Sequence, residues 1–203
     1  MRNKIRIVMM WLLPVILVGG VIWPYLGFLV LGMMVFFLVL SYFKGRYWCG
    51  NLCPRGTFLD KYLRRFARDR HVPRLFKNST FRWSVFILLM AFMVFRLSIA
   101  SSAAAVGLVF VTMCLLTTVI AIPLGLVFRA RSWCAVCPMG TLQGTLSKRK
   151  HAVELNSECA GCGVCKIKCP ISSDPSSGKV HSRDCIKCGK CSTVCFKDAI
   201  QHN

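Results

Sequence analysis

Two short stretches of the chain, each following a long apolar segment, decide how the rest of the sequence is interpreted. Residues 47–57 read YWCGNLCPRGT, and residues 132–141 read SWCAVCPMGT. Both place a tryptophan before two cysteines and follow the second cysteine with proline, glycine and threonine. A stretch that recurs at the same place in two halves of a chain is typical of an internal repeat. The sequence therefore predicts a duplicated unit of two apolar segments that ends in a cysteine pair.

The apolar segments have the lengths of membrane-spanning helices. Of the 203 residues, 55% are hydrophobic, and the mean hydropathy is +0.56. Residues 7–23 and 25–43 carry no charge, and residues 83–128 carry only Arg96. Because about 20 helical residues cross a bilayer, the third segment is long enough for two helices joined by a turn near residues 98–104. Four transmembrane helices are predicted.

Basic residues predict how the four spans are oriented. The amino terminus, residues 44–82 and the segment that begins at Arg129 are rich in Lys and Arg, whereas the turn at residues 23–25 is uncharged. The positive-inside rule then places both termini and both cysteine pairs on the cytoplasmic side of a bacterial or archaeal cell membrane. The net charge of +20 is explained by this topology and by contact with anionic lipid headgroups. Nucleic acid is not an expected partner.

The carboxyl-terminal region carries two cysteine runs with the spacing C-x2-C-x2-C-x3-C. The first run is followed by proline and resembles that of the bacterial two-cluster ferredoxins, while Phe196 stands where the second proline is expected. The resemblance implies that the fourth cysteine of each run serves the other cluster. One [4Fe-4S] cluster then takes Cys159, Cys162, Cys165 and Cys195, and the other takes Cys185, Cys188, Cys191 and Cys169.

The two cysteine pairs of the apolar half can supply one further centre. Spans two and four end on the same side, so Cys49 and Cys53 can meet Cys134 and Cys137. Four thiolates suit a third [4Fe-4S] cluster, but two pairs also describe a zinc site, and one pair can act as a thiol redox couple. Proline and glycine in each motif are expected to let the backbone turn past the metal. Cys114 is left over in span four, where a small buried hydrophobic residue is expected.

Other side chains limit the chemistry of the membrane part. The histidines lie outside the predicted spans, so no haem is expected within the membrane; they are His71, His151, His181 and His202. Arg96 is a candidate contact for a quinone or a partner subunit, with a side chain that merely reaches the outer interface as the alternative. Residues 58–66 form an amphipathic pattern, which fits a helix lying on the membrane surface or one packed on the metal site.

Four spans, two W-C-x2/3-C-P motifs and a two-cluster tail together resemble the polyferredoxin-type membrane proteins. That family includes the quinol-dehydrogenase membrane subunit of periplasmic nitrate reductase, methylamine-utilisation relatives and part of the nitrous-oxide reductase maturation regulator. The resemblance implies an all-α membrane domain with a two-fold internal repeat over residues 1–150. It also implies a small α+β two-cluster ferredoxin-like domain over residues 151–203.

The same resemblance implies membrane-anchored electron transfer. Electrons would pass between the cytoplasmic-side clusters and a quinone site or a partner oxidoreductase subunit, within a membrane redox complex that includes a ferredoxin-type donor or acceptor. No nucleophile–base pair or acidic dyad is present in the sequence, so no substrate chemistry beyond redox is predicted. The alternative is an iron–sulfur protein that supports the assembly or maturation of another metalloenzyme, or that senses redox state.

Overall fold

The computed structural model describes residues 2–148 and 151–202. Its first part is helical, and the helices are α1 (Arg2–Ile22), α2 (Leu26–Lys44), α3 (Tyr47–Asn51), α4 (Pro54–Tyr62), α5 (Ser79–Ile99), α6 (Ala103–Val127), α7 (Trp133–Val136) and α8 (Pro138–Leu146). The following part contains β1 (His151–Leu155), α9 (Val164–Lys168), β2 (Lys179–His181), α10 (Lys190–Thr193) and β3 (Ile200–His202). The domain boundary predicted after residue 150 falls on residues 149 and 150, which lie outside the described residues.

Helices α1, α2, α5 and α6 are long and apolar enough to cross a membrane, which confirms the prediction of four apolar helices. Side chains cap the starts of α5 and α6. The side-chain amide oxygen Oδ1 of Asn78 accepts a hydrogen bond from the Thr80 N–H at 3.1 Å, and the hydroxyl of Ser102 accepts one from the Ala105 N–H at 3.2 Å. Such caps satisfy N–H groups that have no partner inside the helix.

Two glycines bring α2 and α6 into close contact. A methyl group on Gly27 would overlap the backbone of Gly107, and one on Gly107 would overlap the carbonyl group of Pro24. Small residues at such positions let helix backbones approach each other inside a membrane. Since α3 follows α2 and α7 follows α6, this contact helps to bring the two cysteine motifs to the same end of the bundle.

Helix α4 packs inward against the ends of the spans. Leu59 and Leu63 are buried in a core that also contains Leu89 of α5 and Trp133 of α7. Two aromatic side chains of the same segment, Tyr62 and Phe66, remain exposed, whereas Phe58 packs against the core. The amphipathic pattern is therefore explained first by packing on the cysteine motifs, while its aromatic edge stays at the surface.

The carboxyl-terminal part is built on a three-stranded antiparallel sheet in the order β2-β1-β3. Val153 of the central strand packs with Val180 and Ile200 and with cysteines of both runs. Helices α9 and α10 each begin directly after a glycine with positive φ, 70° at Gly163 and 76° at Gly189. Glycine tolerates this left-handed backbone, which turns the chain tightly between the second and third cysteines of each run.

The two parts are joined by polar contacts on the side of the cysteine motifs. Arg82 of α5 forms an ion pair with Asp184, with Nη2 and Oδ1 2.8 Å apart. The side-chain N–H of Asn51 donates to the carbonyl of Lys187 at 2.9 Å. Because Asn51 lies in α3 and Lys187 lies between two cysteines of the second run, the carboxyl-terminal part sits directly on the first membrane motif.

Candidate iron–sulfur centres

Two small cavities in the carboxyl-terminal part are each lined by four cysteines. The first cavity is lined by Cys159, Cys162, Cys165 and Cys195, and the second by Cys169, Cys185, Cys188 and Cys191. These are the two sets of four implied by the ferredoxin resemblance, including the exchange of the fourth cysteine between runs. The structure therefore brings each predicted set together, and ligation of a cluster by each set stays a prediction.

The second cavity offers a protected environment for thiolate ligands. The backbone N–H of Ser173 donates to Cys169 Sγ at 3.2 Å, and that of Lys187 donates to Cys185 Sγ at 3.3 Å. Burial raises the pKa of Cys185 to about 12 and that of Cys191 to about 11. A free thiolate is thus disfavoured, and coordination to a metal is the usual way to keep such a buried sulfur deprotonated. This donor set fits an iron–sulfur cluster.

The two membrane motifs have the same local structure despite their different spacing. In each, a short helix carries the first cysteine, and the second cysteine precedes a helix of nine residues that begins with proline. Cys53 has φ −58° and ψ 120°, and Cys137 has φ −56° and ψ 128°. The extra residue of C-x3-C is absorbed by α3, which has five residues where α7 has four. Proline suits the first helical position because its ring fixes φ and it has no N–H to leave unpaired.

A pair of buried arginines joins the two motifs reciprocally. Arg46 and Arg131 each stand three residues before the first cysteine of their own motif. Nη2 of Arg46 donates to the carbonyl of Cys134, and Nη1 of Arg131 donates to the carbonyl of Cys49 at 2.7 Å. The exposed fractions of the two arginines are only 1% and 2%. The sequence signal was the R-x-W-C pattern present in both motifs, which the cysteine-based interpretation did not use.

The glycines of the two motifs lie beside these arginines, and one of them makes room for its neighbour. Gly56 and Gly140 lie inside α4 and α8, and neither has a positive φ. A methyl group on Gly140 would overlap the guanidinium of Arg46, and one on Gly56 would lie 3.5 Å from Nη1 of Arg131. The expectation that these glycines turn the backbone past a metal is therefore corrected. The missing side chain of Gly140 accommodates Arg46 of the opposite motif, whereas Gly56 lies in ordinary contact with Arg131.

The first cysteine of each motif adjoins the second cysteine run. Cys49 and Cys134 are buried in one cluster with Ile171 and Ile186, which also contacts Cys169 and Cys188. A methyl group on Gly50 would overlap the carbonyl of Ile186, so the two loops are in close contact. Burial raises the pKa of Cys49 to about 12, against the opposing charge of Arg46, and raises that of Cys134 to about 11.

An apolar cavity of about 210 Å³ lies beside the membrane motifs, between the long helices. Three motif cysteines line it, namely Cys49, Cys53 and Cys137, together with the methionines Met33, Met34, Met90, Met93, Met113 and Met139. Cys114 faces the same cavity, so it is not merely a small residue of the core as expected. The thiol of Cys49 donates to Oε1 of Gln143 at 3.0 Å.

Arg55 is the cation at this cavity. Its Nη2 donates to Cys137 Sγ at 3.3 Å and its Nη1 to the hydroxyl of Thr117 at 2.6 Å.

Arg96, by contrast, is exposed in the last turn of α5 and is not among the residues that line the cavity. Its predicted contact with a quinone or a partner subunit stays a prediction. Within residues 2–148 and 151–202, no group of three or more His, Cys, Asp or Glu side chains is placed to hold a single metal ion.

Comparison with known proteins identifies a family and several relatives. A family described as 4Fe-4S binding domain matches residues 26–73 and 97–156, and a second family of the same description matches residues 179–201. An uncharacterized protein of Methanocaldococcus jannaschii is 26% identical over 182 residues, which cover 82% of this chain and 76% of that protein. The ferredoxin-type protein NapH of Haemophilus influenzae is 27% identical over 187 residues, which cover 81% of this chain and 64% of that protein.

A shorter match adds a second relative of the same name. The ferredoxin-type protein NapH of Escherichia coli is 30% identical over 78 residues, which cover 32% of this chain and 27% of that protein. The chain thus spans only part of the length of each of these relatives. No solved structure matches the chain.

Proposed function

Given that the chain belongs to the 4Fe-4S binding domain family, we propose that it passes electrons between three iron–sulfur clusters and a quinone or a partner subunit. It is an iron–sulfur electron-transfer protein related to ferredoxin-type proteins and a membrane protein with four long apolar helices.

Two clusters of the proposed relay occupy the carboxyl-terminal cavities. Each would be held by the four cysteines that line its cavity, within a ferredoxin-like domain over residues 151–203. Bound [4Fe-4S] clusters supply reversible one-electron chemistry at potentials that hydrogen bonds and burial adjust. The chain contributes thiolates, backbone N–H donors to sulfur and an apolar wall. Since Cys162 is exposed, the first cluster is the natural contact for a ferredoxin-type donor or acceptor.

The third cluster is assigned to the membrane motifs, with Cys49, Cys53, Cys134 and Cys137 as ligands. The reciprocal arginine contacts support this assignment because each motif positions the first cysteine of the other. The matching local structures also support an internal two-fold repeat over residues 1–150. The competing assignment is a zinc ion bound by the same four cysteines.

The observation that carries the proposal is the contact between the membrane motifs and the second cysteine run. Cys49 and Cys134 lie in one buried cluster with Ile186, which stands between Cys185 and Cys188. The cysteines proposed to hold the second cluster and the third therefore belong to one packed core. Electrons can then move from the exposed first cluster through the second to the membrane motifs.

A quinone at the apolar cavity would complete this route. Ligand pockets are typically apolar with a few polar groups that fix orientation, and methionine side chains adapt to flat, irregular ligands. Arg55, Thr117 and Gln143 are polar groups that line the cavity and suit the carbonyl and hydroxyl groups of a quinone head. Positive-inside topology supports a cytoplasmic position for the motifs.

Metal analysis of the full chain, purified without oxygen, tests the proposal. Three clusters require about twelve iron per chain and no zinc, whereas two clusters with a zinc clasp give about eight iron and one zinc. Cys49→Ser and Cys134→Ser should each abolish the same paramagnetic signal after reduction, while Cys114→Ser serves as the control and retains it. Loss of different signals in the two variants would refute a shared centre.

Addition of quinol separates electron transfer from a role in assembly or sensing. In an electron carrier with its own quinone site, adding quinol should reduce the clusters, and adding the oxidised quinone should reoxidise them. No response in a chain with all three clusters loaded would contradict the quinone site at the cavity.

A further inference from the structure

The duplicated motif differs between its two copies at one position that faces the cavity. In C-P-x-G-T, the variable residue is Arg55 in the first copy and Met139 in the second. Both line the apolar cavity. The internal repeat does not account for this difference, because a position needed only for the shared local structure would accept the same residue in both copies.

The contacts of Arg55 are directed at the membrane motif of the other half. Nη2 donates to Cys137 Sγ at 3.3 Å, and Nη1 donates to the Thr117 hydroxyl at 2.6 Å. The guanidinium also lies 5.5 Å from the ring centroid of Trp133, in cation–π contact. Thus a residue of the first motif reaches a proposed cluster ligand of the second.

Arg55 differs from Arg131 and Arg82 in the charge that it meets, and it differs from Arg46 in donating to a cysteine sulfur and not to backbone carbonyls. Arg131 forms an ion pair with Asp60, and Arg82 forms one with Asp184. Among the described residues, none of the ion pairs involves Arg55. A guanidinium in an apolar cavity is stabilised by a compensating negative charge, and a cluster held through Cys137, to whose Sγ Arg55 donates, would supply that charge.

We propose that Arg55 raises the reduction potential of the centre held by the membrane motifs and so favours the arrival of electrons at the cavity. This inference rests on the proposed third cluster. Reduction of that cluster adds one negative charge, which a nearby cation and a hydrogen bond to a ligand sulfur stabilise. In the step, the second cluster is oxidised by one electron and the third is reduced by one. No covalent bond is formed or broken, and no proton is transferred.

Redox titration followed by electron paramagnetic resonance tests this role in the full, cluster-loaded chain. Arg55→Met, which gives both motifs the same residue, and Arg55→Gln should each make reduction of the membrane-motif centre at least tenfold less favourable. That corresponds to 59 mV for a one-electron couple. Arg55→Lys keeps the charge without the planar fork and should give a smaller shift. The two ferredoxin-type clusters serve as internal references and should keep their potentials.

Arg64→Met provides a matched control, because it makes the same chemical change at an exposed position just beyond α4. An unchanged potential in Arg55→Met, or an equal shift of all three clusters, would overturn the inference. So would loss of the centre in all three Arg55 variants, because the residue would then be required for assembly. A wild-type chain with zinc in place of the third cluster would already lack the signal before any substitution, and that failure belongs to the proposed function.

Discussion

Gly140→Ala probes the arginine contact that joins the two membrane motifs. A methyl group at this position would overlap Nη2 of Arg46, which donates to the carbonyl of Cys134, while Nη1 donates to the carbonyl of Arg183 at 2.5 Å. Because Arg46 is 1% exposed, its guanidinium cannot move into solvent. Losing one hydrogen bond from a charged group costs about 1.5–3 kcal/mol, and overpacking adds about 1–3 kcal/mol.

Alanine favours the helix by about 1 kcal/mol relative to glycine, which offsets part of this cost. The net loss in the free energy of unfolding is then about 2 kcal/mol or more. For a chain of this size, each kcal/mol corresponds to about 2–4 °C in Tm, so a decrease of about 4–8 °C is expected. The assay is thermal unfolding of the detergent-solubilised, cluster-loaded protein at one scan rate, followed by loss of visible cluster absorbance.

Gly56→Ala is the matched control at the same position of the other motif. Its methyl group would lie 3.5 Å from Nη1 of Arg131 and 3.3 Å from the carbonyl of Cys49, so only a slight adjustment is required. Helix propensity should then leave Tm unchanged or raise it by a few degrees. Equal Tm values for the two variants would refute the conclusion that Gly140 makes room for Arg46.

Three further results are expected. Gly107→Ala should lower the free energy of unfolding by about 1–3 kcal/mol, and with it Tm, because the added methyl group overlaps the Pro24 carbonyl. Gly32→Ala, whose methyl group would meet nothing within 4 Å, should leave Tm unchanged. Equal effects of the two substitutions would contradict close α2–α6 packing. Arg131→Met should destabilise the folded state by about 1.5–3 kcal/mol, because it removes the hydrogen bonds from the guanidinium to the carbonyls of Cys49 and Gly50 and leaves Asp60 paired, among the described residues, with Lys190 alone. Asp60→Asn, combined with it, should restore part of that loss, as read by Tm. Hydrogen bonds from Lys166 and Ser176 hold the pKa of Asp174 below its ordinary value, so the carboxylate stabilises the folded state above about pH 4, and that contribution is lost as the pH falls through the folded pKa. In an acid titration followed by cluster absorbance, Lys166→Gln should therefore lose its absorbance at a slightly higher pH than the wild type. An unchanged acid midpoint would contradict this coupling.

The sequence by itself determined the elements and the chemistry of the ligands. Runs of about 20 apolar residues can satisfy their backbone groups in a membrane only as helices, so α1, α2, α5 and α6 follow from composition. The cysteine spacing of the tail predicted an iron–sulfur protein because closely spaced thiolates on a tight loop suit a cluster. These features are local in the chain, and local patterns of side-chain type are sufficient to predict them.

Only the tertiary structure decided how the motifs meet. Arg46 and Arg131 bind backbone carbonyls across the repeat, and a carbonyl is present in every residue, so no side-chain pattern identifies it as a partner. For the same reason, the sequence did not reveal why Gly140 is small or that Arg55 reaches Cys137. Cys114 likewise joins the cavity only because α6 presents it beside residues distant in the chain. Such contacts join residues that are distant in the chain, and they form only when whole helices pack together. A local sequence pattern therefore does not predict them.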